Sequence, residues 1–120
     1  MKKIIIILAI FLGIATSATA QEVKTIALEQ TKGAFTEQQM TVTEGTYVFK
    51  ITNTNVGHDV GFVLAPKGKT DAAHHIKAAY VTKPVANNTT GTSKEVTLKK
   101  GTYVYFCPLN PTPEYTLIVK

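Results

Sequence analysis

The strongest constraint on this chain is a side-chain alternation of period two. Tyr47, Phe49 and Ile51 alternate with Val48, Lys50 and Thr52. Successive side chains of a strand point to opposite faces, so this pattern predicts a half-buried strand. Residues 59–64 read as another, with Val60, Phe62 and Leu64 on one face. Residues 94–98 place Val96 and Leu98 inward, and Tyr115, Leu117 and Val119 alternate in the same way. Residues 101–106 are apolar on both faces, as a strand in the middle of a sheet is. Residues 23–28 and 39–42 are further candidates. Turn-forming residues separate these runs: Glu44-Gly45, Asn53 to Gly57, Pro66 to Gly68, Asn87 to Gly91 and Lys100-Gly101. Several short strands with regular turns predict an all-β sandwich.

One stretch departs from this period. Thr70 or Asp71 is placed to cap a short helix over residues 72–80, which is rich in alanine and contains His74 and His75. The polar linker over residues 82–93 is expected to be a mobile surface loop. There is also a local echo. Glu44-Gly45-Thr46-Tyr47-Val48-Phe49 resembles Lys100-Gly101-Thr102-Tyr103-Val104-Tyr105. We read it as two copies of one solution, a tight turn feeding a buried strand. It is too short to define a repeat architecture.

The first twenty residues read as an export signal. Lys2 and Lys3 precede an apolar run over residues 4–14, and Ala18-Thr19-Ala20 fits the small-x-small cleavage rule. The run is shorter than the roughly 20 apolar residues that a membrane span needs. Nothing later in the chain is apolar enough to span. A periplasmic or secreted protein is expected, with residues 21–120 as one small domain. That portion carries eleven lysines against eight acids and no arginine, with the lysines scattered. Nucleic-acid surfaces cluster Arg and Lys with stacking aromatics, so nucleic acid is not an expected partner. A mildly basic face suits an acidic protein partner. A monomer is expected.

Cys107 is the only cysteine, and it lies between a strand and the proline-rich stretch Pro108-Leu109-Asn110-Pro111-Thr112-Pro113-Glu114. In an oxidising compartment a lone thiol is buried and inert, joined to another molecule, or held by a metal. No Ser/His/acid spacing, no His-Glu-x-x-His and no glycine-rich phosphate loop is present. A Cys107/His58 dyad lacks an evident oxyanion hole in a sandwich fold. An enzyme is therefore not expected.

The residues Phe49-Lys50-Ile51-Thr52-Asn53, then His58, then Val96-Thr97-Leu98 and Gly101-Thr102-Tyr103-Val104-Tyr105-Phe106-Cys107-Pro108 resemble a cupredoxin. The order of these motifs fits, as does the 49-residue spacing from His58 to Cys107. The resemblance implies a Greek-key β-sandwich and a copper-based electron carrier with a redox or copper-handling protein partner. It implies a first ligand at His58 and a thiolate ligand at Cys107.

The same resemblance implies a second histidine three to five residues after the cysteine and an axial methionine beyond it. Asn110, Pro111 and Thr112 stand at the first of these places, and Glu114, Tyr115 and Thr116 at the second. A blue-copper site needs two imidazoles and a thiolate in one plane. Three readings stay open. Copper binds through His58, Cys107 and an imported ligand, with His74 or His75 as the import and Asn110 or Glu114 as a weak oxygen donor. Alternatively the site is degenerate and the sandwich serves as an interaction or structural module. Or a Cu(I) site serves copper delivery or sequestration. Each residue also has a plainer role: Cys107 as a small buried hydrophobe, His58 as a loop-closing residue, His74 and His75 as solvated surface residues.

Overall fold

The computed structural model describes residues 22–120. The expected leader over residues 1–20 and its cleavage point lie outside the described residues. The alternating segments become β1 (Val23–Thr31), β3 (Gln39–Val42), β4 (Gly45–Asn53), β6 (Thr90–Leu98), β7 (Gly101–Phe106) and β8 (Tyr115–Val119). Two short strands complete the set, β2 (Ala34–Phe35) and β5 (Val63–Pro66). One sheet has the order β2-β1-β4-β6 and the other β3-β8-β7-β5. β1 lies parallel to β4 and β3 parallel to β8, while the remaining neighbours are antiparallel. The chain therefore crosses between sheets several times, and β7 is an inner strand as its two apolar faces predict.

The inward residues of both sheets make one core. Ile26 and Leu28 from β1, Tyr47, Phe49 and Ile51 from β4, and Leu117 and Val119 from β8 are all buried. Phe35, the one large side chain of β2, meets Tyr105 edge to face at 5.1 Å between ring centres. Phe49 and Phe62 close the middle at 4.9 Å. Burying side chains of this size stabilises each by about 1.5–3 kcal/mol relative to exposure.

Three expectations change. The strand foreseen over residues 59–64 begins only at Val63. Val60 instead makes an isolated bridge to Val85, so residues 59–62 lead into the sheet without belonging to its ladder. Second, residues 90–93 are part of β6, and Val85 is buried. The linker over residues 82–93 is therefore pinned down, with Val85 packed over Gly91 and Thr82 N–H donating to Thr92 O. Third, the short helical insertion is two 3-10 turns, Ala72–His74 and Lys77–Ala79, with His75 and Ile76 extended between them. The sheet edge breaks the helix: Ile76 N–H donates to Leu64 O of β5 at 2.8 Å. The Asp71 side chain makes no cap hydrogen bond to the backbone there, and its carboxylate holds the His74 ring instead. Among the described residues no helix is long and apolar enough to cross a membrane.

Candidate functional site

Cys107 follows β7 with its side chain in the core, 1 % exposed. Two backbone N–H groups donate to its Sγ, Gly61 at 3.3 Å and Asn110 at 3.2 Å. Its own N–H donates to Thr112 Oγ1 at 3.1 Å, which fixes the start of the proline-rich loop. The loop after Cys107 and the segment that leads into β5 thus converge on one sulfur.

The other candidates occupy different surroundings. His58 is exposed, and its Nδ1 lies 2.9 Å from Asp59 O. Its backbone is held from below by buried Asn53, whose Nδ2 donates to His58 O at 2.8 Å and to Val85 O at 3.0 Å. Asn110 is buried, but its Oδ1 accepts from Gly33 N–H at 2.7 Å and so faces the β1–β2 turn. Gly33 takes φ +76° to present that N–H, a conformation that suits glycine. Glu114 is exposed.

His74 pairs with Asp71 on the surface at 2.9 Å, and the imidazole's hydrogen bond holds the Asp71 carboxyl below the usual carboxylate range. His75 is engaged at both ring nitrogens, Nδ1 with Tyr80 Oη and Nε2 with Thr70 O, each at 2.8 Å. Since Thr70 O only accepts, Nε2 carries the proton and Nδ1 accepts from the Tyr80 hydroxyl in the neutral ring. His75 also packs edge to face on Phe106, the residue before Cys107.

Among the described residues no group of three or more His, Cys, Asp and Glu side chains is placed to hold a metal ion. The donor set does not fit a type 1 copper ion, which needs two imidazoles beside the thiolate. Each of the three imidazoles is turned to a partner of its own, Asp59, Asp71 or the Tyr80–Thr70 pair. The sequence reading did not single out Gln30, which is fully buried at this end and donates to Gly61 O at 2.7 Å. The signal was present in the register: Gln30 continues the inward series Ile26 and Leu28.

Beside Cys107 an apolar hollow of about 310 Å³ opens, with Gly61, His75, Tyr80, Pro108 and Leu109 in its wall. Leu109 is 51 % exposed there. A neighbouring hollow shares Tyr80 and Val81 and adds Lys77 and Lys94.

Comparison with known proteins agrees with this architecture. The family described as cupredoxin-like domain matches residues 4–119. A search of curated protein sequences finds no match. Among solved structures, auracyanin A, a "blue" copper protein of the green thermophilic photosynthetic bacterium Chloroflexus aurantiacus, is similar with a TM-score of 0.65 and 19 % identity, over 82 % of this chain and all of that one. The auracyanin of the photosynthetic bacterium Roseiflexus castenholzii gives 0.63 and 18 %, over 81 % of this chain and 97 % of its own. Amicyanin of Paracoccus versutus gives 0.51 and 13 %, over 80 % of this chain and 81 % of its own. With two sheets in this order, a cysteine after the penultimate strand and a family match across nearly the whole sequence, the chain belongs to the cupredoxin family.

Proposed function

We propose that this chain is an exported, monomeric cupredoxin domain that works as a protein-binding module without a type 1 copper ion. The observation that carries this reading is the surroundings of Cys107. Its sulfur is buried and engaged by two backbone N–H groups, and the histidines are committed elsewhere. A blue-copper site lacking its imidazoles has no trigonal plane. The partner is an acidic protein. Leu109 and the apolar hollow offer an anchor point, and Lys77 and Lys94 line the adjoining hollow on a chain with an excess of lysine.

Copper titration of the purified protein tests the first half. The expected result is no thiolate-to-Cu(II) absorption band in the visible and no saturable binding that Cys107→Ser and His58→Ala both abolish. A coloured, stoichiometric complex lost in both variants refutes the copper-free reading. Panning a random peptide library on the protein tests the second half. Acid-rich peptides with an apolar anchor are expected, with binding weakened by Leu109→Asp and by Lys77→Glu. Peptides indifferent to both substitutions refute this surface.

A second reading has one observation in its favour. Hydrogen bonds to the cysteine sulfur are a means by which proteins tune blue copper, and Sγ has two here. Copper on Cys107 and His58, for delivery or electron transfer, is the reading that a coloured or Cu(I) complex in the same titration supports.

A further inference from the structure

The buried polar groups at the Cys107 end close on themselves. Gly61 N–H donates to Cys107 Sγ, and Gly61 O accepts from Gln30 Nε2 at 2.7 Å. Gln30 Oε1 accepts from Asn110 Nδ2 at 3.1 Å, and Asn110 N–H returns to Cys107 Sγ at 3.2 Å. The circuit runs Cys107, Gly61, Gln30, Asn110 and back. Asn110 extends it to the β1–β2 turn through Thr31 O at 2.9 Å and Gly33 N–H at 2.7 Å. Gln30, Asn110 and Cys107 are each at most 2 % exposed. Among the described residues no buried side-chain nitrogen or oxygen lacks a partner.

We infer that the Gln30–Asn110 amide pair is this chain's internal substitute for a metal ion. This rests on the copper-free reading above. Asn110 stands where the cupredoxin resemblance implies the second histidine, three residues after the cysteine. There it ties the Cys107 loop to β1, and Gln30 ties β1 to the segment that leads from His58 into β5. Two amides thus join the segments that carry Cys107 and His58. They do so in a form that is complete without an ion. A fully satisfied buried network specifies one arrangement, whereas a half-satisfied one is worse than an apolar filling. The pair should therefore be strongly coupled.

The test is a double-mutant cycle with Gln30→Met and Asn110→Leu, read by chemical unfolding with chelator, with Cu(I) and with Ag(I). In the wild type the unfolding midpoint is expected to be the same in all three conditions. Each single substitution should raise the unfolding constant about tenfold or more. The second substitution should cost less once the first is made, by a factor of about three or more. A wild-type midpoint that rises with Cu(I) overturns the copper-free reading and this inference with it. A metal-indifferent wild type whose two substitutions are cheap and additive overturns the inference alone. Should a variant fail to fold, hydrogen exchange in the wild type decides. Gly61 and Asn110 amides must exchange as slowly as those of β7, and exchange at the rate of open loop amides overturns the circuit.

Discussion

Tyr47 and Tyr103 occupy matching places in the two sheets, and each hydroxyl donates to the carbonyl four residues earlier. Tyr47 reaches Thr43 O at 2.7 Å and Tyr103 reaches Lys99 O at 2.8 Å. Each ring folds back over the glycine that opens its strand, Gly45 and Gly101. The two corners also touch, since Lys100 N–H donates to the Glu44 carboxylate at 2.8 Å. The Gly-Thr-Tyr-Val echo is therefore one corner built twice. Removing either hydroxyl should cost about 0.5–1.5 kcal/mol. Tyr47→Phe should cost more than Tyr103→Phe, because Tyr47 is buried and Tyr103 is not. Urea unfolding of the two variants checks the order.

The adjacent histidines should behave differently. His75→Ala removes a ring that joins Thr70, Tyr80 and Phe106, and should destabilise the protein by about 1–3 kcal/mol. His74→Ala loses only an exposed, solvent-screened pair with Asp71, and should leave thermal stability essentially unchanged. Thermal unfolding of both variants separates the two roles.

Gly91 has no room for a side chain. A Cβ there would lie 2.7 Å from Val85 Cγ2. Gly91→Ala should destabilise by about 1–3 kcal/mol through overpacking. Val85→Ala in the same chain should recover part of that loss, even though Val85→Ala alone is destabilising. Non-additivity in this direction, measured by chemical unfolding, is the expected signature.

Tyr105 links stability to alkaline pH. Burial, with smaller contributions from Glu37 and Tyr115, pushes its hydroxyl up from 10.0 to about 12. That hydroxyl donates to Glu37 O at 2.6 Å. The folded state holds this proton after the unfolded chain has released it. Its contribution is complete below pH 10 and is lost as pH rises toward 12. Tyr105→Phe should show a shallower fall of stability across that window than wild type, measured by unfolding at fixed pH values.

The sheets were legible because alternation and turns agree. Tyr47, Phe49 and Ile51 are inward as their spacing predicts, and β3 and β8 follow theirs. Thr90 to Ser93 escaped because Thr, Gly and Ser read as loop when taken alone. Their strand character comes from pairing with β4, a contact that local propensity does not contain. The alanine-rich stretch read as one helix, but a single hydrogen bond to β5 outweighs its weak intrinsic preference. Cys107 stood out because it is the only cysteine. Gln30 did not, because its amide makes sense only beside Asn110, 80 residues away.

The parallel pairing of β3 with β8 sets the order in which this domain can form. β8 comes after every strand it touches, yet it sits between β3 and β7 and bonds to both. Lys120 N–H then closes onto Val42 O, and Glu44 N–H onto Lys120 O. The second sheet has no continuous ladder until residues 115–120 arrive, and ladders between such distant segments form slowly. β3, at the edge of that sheet, therefore has no ladder partner until residues 115–119 are available.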